Sequence, residues 1–72
     1  MREMIVQALR EYYRGEIAKT KANVEIFLEK HTGVADHPDV LGTLDSLIGE
    51  IAEFDDKLLA LDTHFNTTAP RI

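Results

Sequence analysis

Residues 40–65 read VLGTLDSLIGEIAEFDDKLLALDTHF, and this stretch contains the strongest pattern in the chain. One apolar series recurs at intervals of seven, at Leu44, Ile51, Leu58 and Phe65. A second series has the same interval and consists of Val40, Leu47, Phe54 and Leu61. Together the two series place one apolar stripe along a helix, as in the seam of a coiled coil. The segment therefore predicts a long amphipathic helix.

The predicted stripe is wider at the start of this helix than at its end. Leu41 and Ile48 lie beside the two series and widen the face that we expect to be buried. Asp55 and Asp62 take the same position further along, so we expect the buried face to narrow toward residue 65.

The residues before this stretch predict a second long helix, because residues 1–31 contain no proline and one glycine. Apolar residues recur there at steps of three and four, with Thr20 in the one gap of seven: Val6, Leu9, Tyr13, Ile17, Val24 and Phe27. Gly33 can close this helix in the left-handed conformation. We expect a helix over about residues 2–31.

A short loop of about residues 32–37 separates the two helices. Pro38 is suited to the first position of the second helix, with Asp36 or His37 as its N-cap, so we expect that helix over about 38–65. A connection this short permits only antiparallel neighbours. Residues 66–72 include Ala69-Pro70 and are expected to form a short extended tail.

The predicted fold is thus all-α, a single domain over residues 1–72 that forms an antiparallel, coiled-coil-like two-helix hairpin. The arrangement predicts three groups of contacts between the helices: Val24 and Phe27 with Val40 and Leu44, Ile17 with Ile51, and Val6 and Leu9 with Leu58, Leu61 and Phe65.

Composition excludes several classes of protein. The chain has 72 residues and no cysteine, so it has no disulfide, thiolate zinc site or cysteine nucleophile. Its apolar stretches are too short to cross a bilayer, and its start lacks the features of a secretory signal, so we expect no membrane partner and a cytoplasmic location.

The net charge of −5 is unevenly distributed. Residues 1–31 carry six basic and five acidic side chains, whereas residues 32–65 carry Lys57 against eight acids. This distribution disfavours nucleic acid and would suit a basic partner, but we interpret it first as a solvated helix face that keeps a small protein soluble.

The first helix has more apolar surface than one neighbouring helix can cover. Met1 belongs to this surplus, and an interaction face is predicted at Met4, Ile5, Ala8, Tyr12, Gly15, Ala18 and Ala22. Glycine within a helix costs about 1 kcal/mol relative to alanine, so Gly15 suggests that another helix approaches closely there. We expect a homo-oligomer, for example a four-helix bundle of two hairpins, or docking on a larger structural protein. The alternative is that these residues are good helix formers and that Met4 and Tyr12 lie flat on the hairpin.

The pattern contains no site for chemistry. His31 and His37 flank the loop and His64 lies at the far end of the second helix, so the three histidines do not form a metal site. The acids Glu50, Glu53, Asp55 and Asp56 have no cleft to shift their pKa values and are interpreted as a solvated face. We expect no catalytic residue, cofactor, metal ligand or small-molecule substrate, and no enzymatic activity.

Three segments carry a resemblance to a known group of proteins: Gly33-Val34-Ala35-Asp36-His37-Pro38-Asp39 with the following Asp45, Gly15-Glu16-Ile17-Ala18, and Lys21-Ala22-Asn23-Val24-Glu25. In these segments the chain resembles small, mostly uncharacterised helical proteins of tailed bacteriophages, particularly contractile-tailed phages of cyanobacteria. The resemblance covers nearly the whole chain. It implies a viral origin and a place in the virion or the host cytoplasm, and it carries no catalytic residues.

These observations predict a non-enzymatic structural or assembly protein, with a phage head, neck or decoration component as the specific form. The alternative is a small acidic regulator that binds a basic surface of a host protein. Its binding residues would be Asp45, Glu53, Asp55, Asp56 and Asp62.

Overall fold

The computed structural model describes residues 1–30 and 39–66, which form two α-helices. Helix α1 spans Arg2–Lys30 and helix α2 spans Val40–Phe65. These bounds lie within two residues of the predicted ones. The predicted loop, the closing role of Gly33 and the extended tail beyond Asn66 fall outside the described residues; Asn66 itself is extended.

The two helices pack side by side in antiparallel orientation. Arg10, in the first half of α1, bonds to Asp62 near the end of α2. Further along, the rings of Tyr13 and Phe54 lie 6.0 Å apart between centroids. The molecule is a rod of 55 × 17 × 15 Å, about two helices wide. The predicted all-α helical hairpin is confirmed.

The side of α1 that faces α2 carries partly or fully buried residues at alternating steps of four and three. We call them the hairpin seam: Val6, Arg10, Tyr13, Ile17, Thr20, Val24 and Phe27. The sequence pattern had placed Leu9 in this stripe, and that assignment is wrong. Leu9 lies about 100° around the helix from Arg10 and is 37% exposed, while Arg10 is 8% exposed.

The matching stripe of α2 is correct from Val40 to Leu61, whose members are all partly or fully buried. Its last predicted member, Phe65, is exposed. The predicted widening by Leu41 and Ile48 is also wrong, because both side chains are exposed, Leu41 by 80%. They lie roughly 100° around the helix from the centre of the stripe, too far to reach α1.

Helix α2 begins with a different cap from the one expected. Asp39 is the N-cap, and its carboxylate accepts a hydrogen bond of 2.9 Å from the Gly42 amide. The N-cap is therefore neither Asp36 nor His37, and the helix starts two residues after Pro38. Aspartate is among the best N-caps because its side chain satisfies an amide that has no partner within the helix.

The core between the helices is thin. Among residues 1–29 and 39–66, the buried ones are Leu61, Arg10 and Thr20, of which Thr20 is fully buried. Of the contact group predicted for Val6 and Leu9 with Leu58, Leu61 and Phe65, all except Leu58 line one groove at the same end of the hairpin. The pairings of Ile17 and of Phe27 with α2 stay predictions.

Candidate interaction surface

The predicted interaction face lies on the side of α1 turned away from α2. All seven of its residues are exposed in the structure. Met4 is 62%, Ile5 58% and Tyr12 56% exposed, so more than half of each of these large side chains faces solvent. Whether the face binds a partner stays a prediction.

This exposed face extends further along α1 than the sequence predicted. Residues at alternating steps of four and three run along the whole of α1, and we call them the outer stripe: Met1, Ile5, Ala8, Tyr12, Gly15, Lys19, Ala22 and Ile26. Every member is exposed. The outer stripe lies about 150° around the helix from the hairpin seam. Helix α1 thus presents one heptad pattern to α2 and a second one to solvent.

Sequence reasoning missed Ile26 and Lys19 as members of this face. The signal was the spacing itself, which continues past Gly15 in steps of four, three and four. The stripe was not followed beyond Gly15 because its next member, Lys19, is charged, and a search for apolar positions leaves charged residues out. Lys19 Nζ lies 3.0 Å from Glu16 Oε1, and this hydrogen bond raises the pKa of Lys19 above its ordinary value.

Tyr12 connects the outer stripe to the packing of the hairpin. Its ring meets Phe54 of α2 edge to face, with 6.4 Å between centroids, and Tyr13 packs on the same Phe54. Lys57 Nζ lies 4.9 Å from the centroid of the Phe54 ring. The Tyr13 ring also lies 5.8 Å from the Tyr12 ring, and because these two neighbours fix Tyr12, its exposed surface has a defined position.

An open apolar groove lies where the start of α1 meets the end of α2, and we call it the end groove. It has a volume of about 390 Å³ and is lined by Val6, Leu9, Tyr13, Lys57, Ala60, Leu61 and Phe65. Sequence reasoning did not find it, because it had counted Leu9 and Phe65 as mutually buried. Leu9 lies one helical turn from Ile5, so the end groove borders the outer stripe.

The acidic surface proposed for the alternative function is partly engaged within the hairpin. Asp62 Oδ1 lies 2.7 Å from an Arg10 guanidinium nitrogen. Glu53 bonds Lys57 at 2.9 Å, and this hydrogen bond raises the pKa of Lys57. Within the described ranges, Asp45, Asp55 and Asp56 form no ion pair.

The described part of the chain contains no group of three potential metal ligands. His31 and His37 lie outside it, and the His64 ring packs against Phe65 with 6.3 Å between centroids. Neither α1 nor α2 is both long enough and apolar enough to span a bilayer.

The fold and surface define a class: a two-helix hairpin whose first helix carries a second, unpaired heptad face. No protein-family model, curated protein or solved structure matches the chain. The resemblance to phage proteins and the interpretation of the outer stripe therefore rest on the residues themselves.

Proposed function

We propose that this protein is a non-enzymatic structural or assembly protein that packs the outer stripe of α1 against copies of itself or against a larger protein. The observation that carries the proposal is the exposed second heptad on α1. A helix apolar on two sides is typical of a helix with neighbours on both.

The energetics of the hairpin support this proposal. Full burial of a large apolar side chain contributes roughly 1.5 to 3 kcal/mol before entropy is subtracted. Leu61 is the one apolar residue among those described that is less than a tenth exposed, while Met1, Ile5 and Ile26 are more than half exposed. Covering the outer stripe would add burial that the hairpin alone does not achieve.

The specific form of the proposal is a component of a phage virion, in the head, neck or decoration. The resemblance of residues 33–39 and of the segments around Gly15 and Lys21 to phage proteins supports it. A small rod with an adhesive face also suits an assembly subunit. Mass spectrometry of purified virions tests this form, which fails if the protein is absent from mature particles and from assembly intermediates.

Substitution of Ala8→Glu together with Ala22→Glu tests the general proposal. Both positions are exposed, so the variant is expected to stay helical by circular dichroism. Its association, measured by sedimentation at concentrations up to several hundred micromolar, is expected to disappear because two carboxylates would be buried in an apolar contact.

A matched control adds the same charge elsewhere. Ser46→Glu with Thr63→Glu places two carboxylates on exposed positions of α2, and association is expected to persist. If the wild-type chain is a monomer at every concentration, or if both double variants behave alike, the assigned face is wrong. Association that weakens steeply with salt, and depends on Asp45, Asp55 and Asp56, would instead favour the acidic regulator.

A further inference from the structure

We infer that the outer stripe pairs with the outer stripe of a second copy in antiparallel orientation, with Tyr12 of each copy over Gly15 of the other. This inference rests on the proposed function and makes it specific, because it names the partner, the orientation and the register.

The two positions of the outer heptad differ in side-chain size. One position holds only long or bulky side chains: Ile5, Tyr12, Lys19 and Ile26. The other position holds Met1 and then three of the smallest residues: Ala8, Gly15 and Ala22. Large and small residues therefore alternate along one face of α1.

Two-fold symmetry can place the large residues of one copy against the small residues of the other. In an antiparallel dimer with a two-fold axis, a residue of one copy faces a residue of the other, and the same pair recurs on the opposite side of the axis. One register brings the whole stripe into contact. It sets a large residue against a small one in three layers, Tyr12 with Gly15, Ile5 with Ala22 and Lys19 with Ala8, and it places Ile26 against Met1 at the end.

A parallel dimer of the same faces would pack badly. Equivalent residues would then meet, so Tyr12 would face Tyr12 and Gly15 would face Gly15, which leaves layers alternately crowded and empty. Close-packed contacts tolerate neither voids nor overlap. Lys19 would also meet Lys19 of the second copy, and like charges at a seam repel.

The central layer has the clearest structural support. Nothing lies within 4 Å of the position where a Gly15 side chain would begin, so no contact inside the hairpin requires a glycine there. Tyr12, held by Phe54 and more than half exposed, is the bulky group that such a gap admits. The two-fold axis of the dimer lies between residues 12 and 15, so each copy places its Tyr12 over Gly15 of the other.

Charges also favour the antiparallel arrangement. Lys19 would face Ala8 of the second copy, and one helical turn away on the rim lies Glu11 of that copy, which also bonds Arg14 at 3.0 Å within its own helix. The two α1 dipoles would oppose each other, which is favourable for adjacent helices. In a parallel dimer both of these contributions reverse sign.

The size of the face predicts a weak dimer. A helix of this length offers a footprint of roughly 43 by 10 Å, and even with interdigitated side chains this lies near the low end for specific interfaces. We therefore expect a weak association that is lost on dilution.

Single-cysteine variants test the register, because the chain has no cysteine of its own. Ala8→Cys and Lys19→Cys are prepared separately and oxidised alone or as an equimolar mixture at about 200 µM. Residues 8 and 19 face each other only between copies in the antiparallel register. The mixture is expected to give a disulfide-linked heterodimer at least tenfold faster than either variant alone gives a homodimer.

The outcomes separate this inference from the proposed function. A wild-type chain that stays monomeric overturns both. A chain that associates while each variant crosslinks alone, or while no crosslink forms, overturns the antiparallel register and leaves self-assembly standing.

A second pair of variants checks the central layer without cysteine. Gly15→Leu would fill the space that Tyr12 of the second copy occupies in the proposed dimer, and it is expected to weaken dimerisation at least tenfold. Gly49→Leu is the matched control, because Gly49 is also exposed in a helix with nothing within 4 Å. Equal dissociation constants for the two variants would overturn the proposed register.

Discussion

Arg10 lies at a position of the hairpin seam where a coiled coil usually has an apolar residue. Its Nε and one terminal nitrogen donate to Asp62 Oδ1 at 3.0 and 2.7 Å, and its other terminal nitrogen donates to Gln7. The aliphatic stem of an arginine can pack like an apolar side chain while the guanidinium reaches the edge of the seam. A single polar pair of this kind fixes the register of two helices, because a shift along the seam would bury the charge without a partner.

Removal of the carboxylate partner is expected to destabilise the hairpin. Asp62→Ala should lower the free energy of unfolding by about 1 kcal/mol, a value reduced because the Asp62 side chain is half exposed to water. Asp55→Ala, at an exposed position without an ion pair in the described ranges, is the control. Urea denaturation of both variants measures the difference.

The double variant Arg10→Met with Asp62→Ala is expected to recover most of that loss, since methionine fills the seam without a charge. If Asp62→Ala lowers the free energy of unfolding no more than Asp55→Ala does, the Arg10–Asp62 pair does not stabilise the hairpin seam.

Residue type and residue position gave conflicting predictions at this site. A search for apolar residues selected Leu9, whereas the spacing of the seam selects Arg10, and the structure follows the spacing. The same applies to Lys19 in the outer stripe. Leu41 and Ile48 show the opposite error, because apolar character suggested burial at positions that α1 does not reach.

At the scale of the elements, the long repeats were predictable and the N-cap of α2 was not. Both helices and their antiparallel packing follow from periodicities sustained over many turns. Asp36, His37 and Asp39 could each cap the start of α2. Asp39 is the N-cap because its carboxylate accepts a hydrogen bond from the Gly42 amide. The exposure of the outer stripe could be expected from the surplus of apolar residues on α1, but its full length required the geometry of the seam.

Because of the Asp39 cap, we expect Gly→Ala changes at Gly42 and Gly49 of α2 to differ in their effect on stability. A Gly→Ala change within a helix usually stabilises by up to about 1 kcal/mol. Gly49→Ala is expected to show this gain, because nothing lies near its side-chain position. At Gly42 an added methyl group would collide with the Asp39 carboxylate, so the cap would be displaced and the gain cancelled. Thermal unfolding followed by circular dichroism compares the two; equal gains would mean that the cap contributes nothing.

At the scale of the whole molecule, a rod two helices wide buries too little of itself for high stability. Association and folding are then linked, because a partner that binds only the folded chain shifts the equilibrium by mass action. The unfolding temperature is expected to rise by several degrees between about 5 and 500 µM protein. The Ala8→Glu, Ala22→Glu variant is expected to unfold at one temperature throughout that range. A wild-type midpoint independent of concentration would argue against coupled assembly.

The cluster around Phe54 has a practical consequence. The chain has no tryptophan, and its two tyrosines, Tyr12 and Tyr13, both pack on that ring. Intrinsic ultraviolet emission therefore originates where Tyr13 of the hairpin seam meets Tyr12 of the outer stripe. Separation of the helices and occupation of the outer surface would each alter this signal, so an unlabelled sample carries an optical reporter for both events.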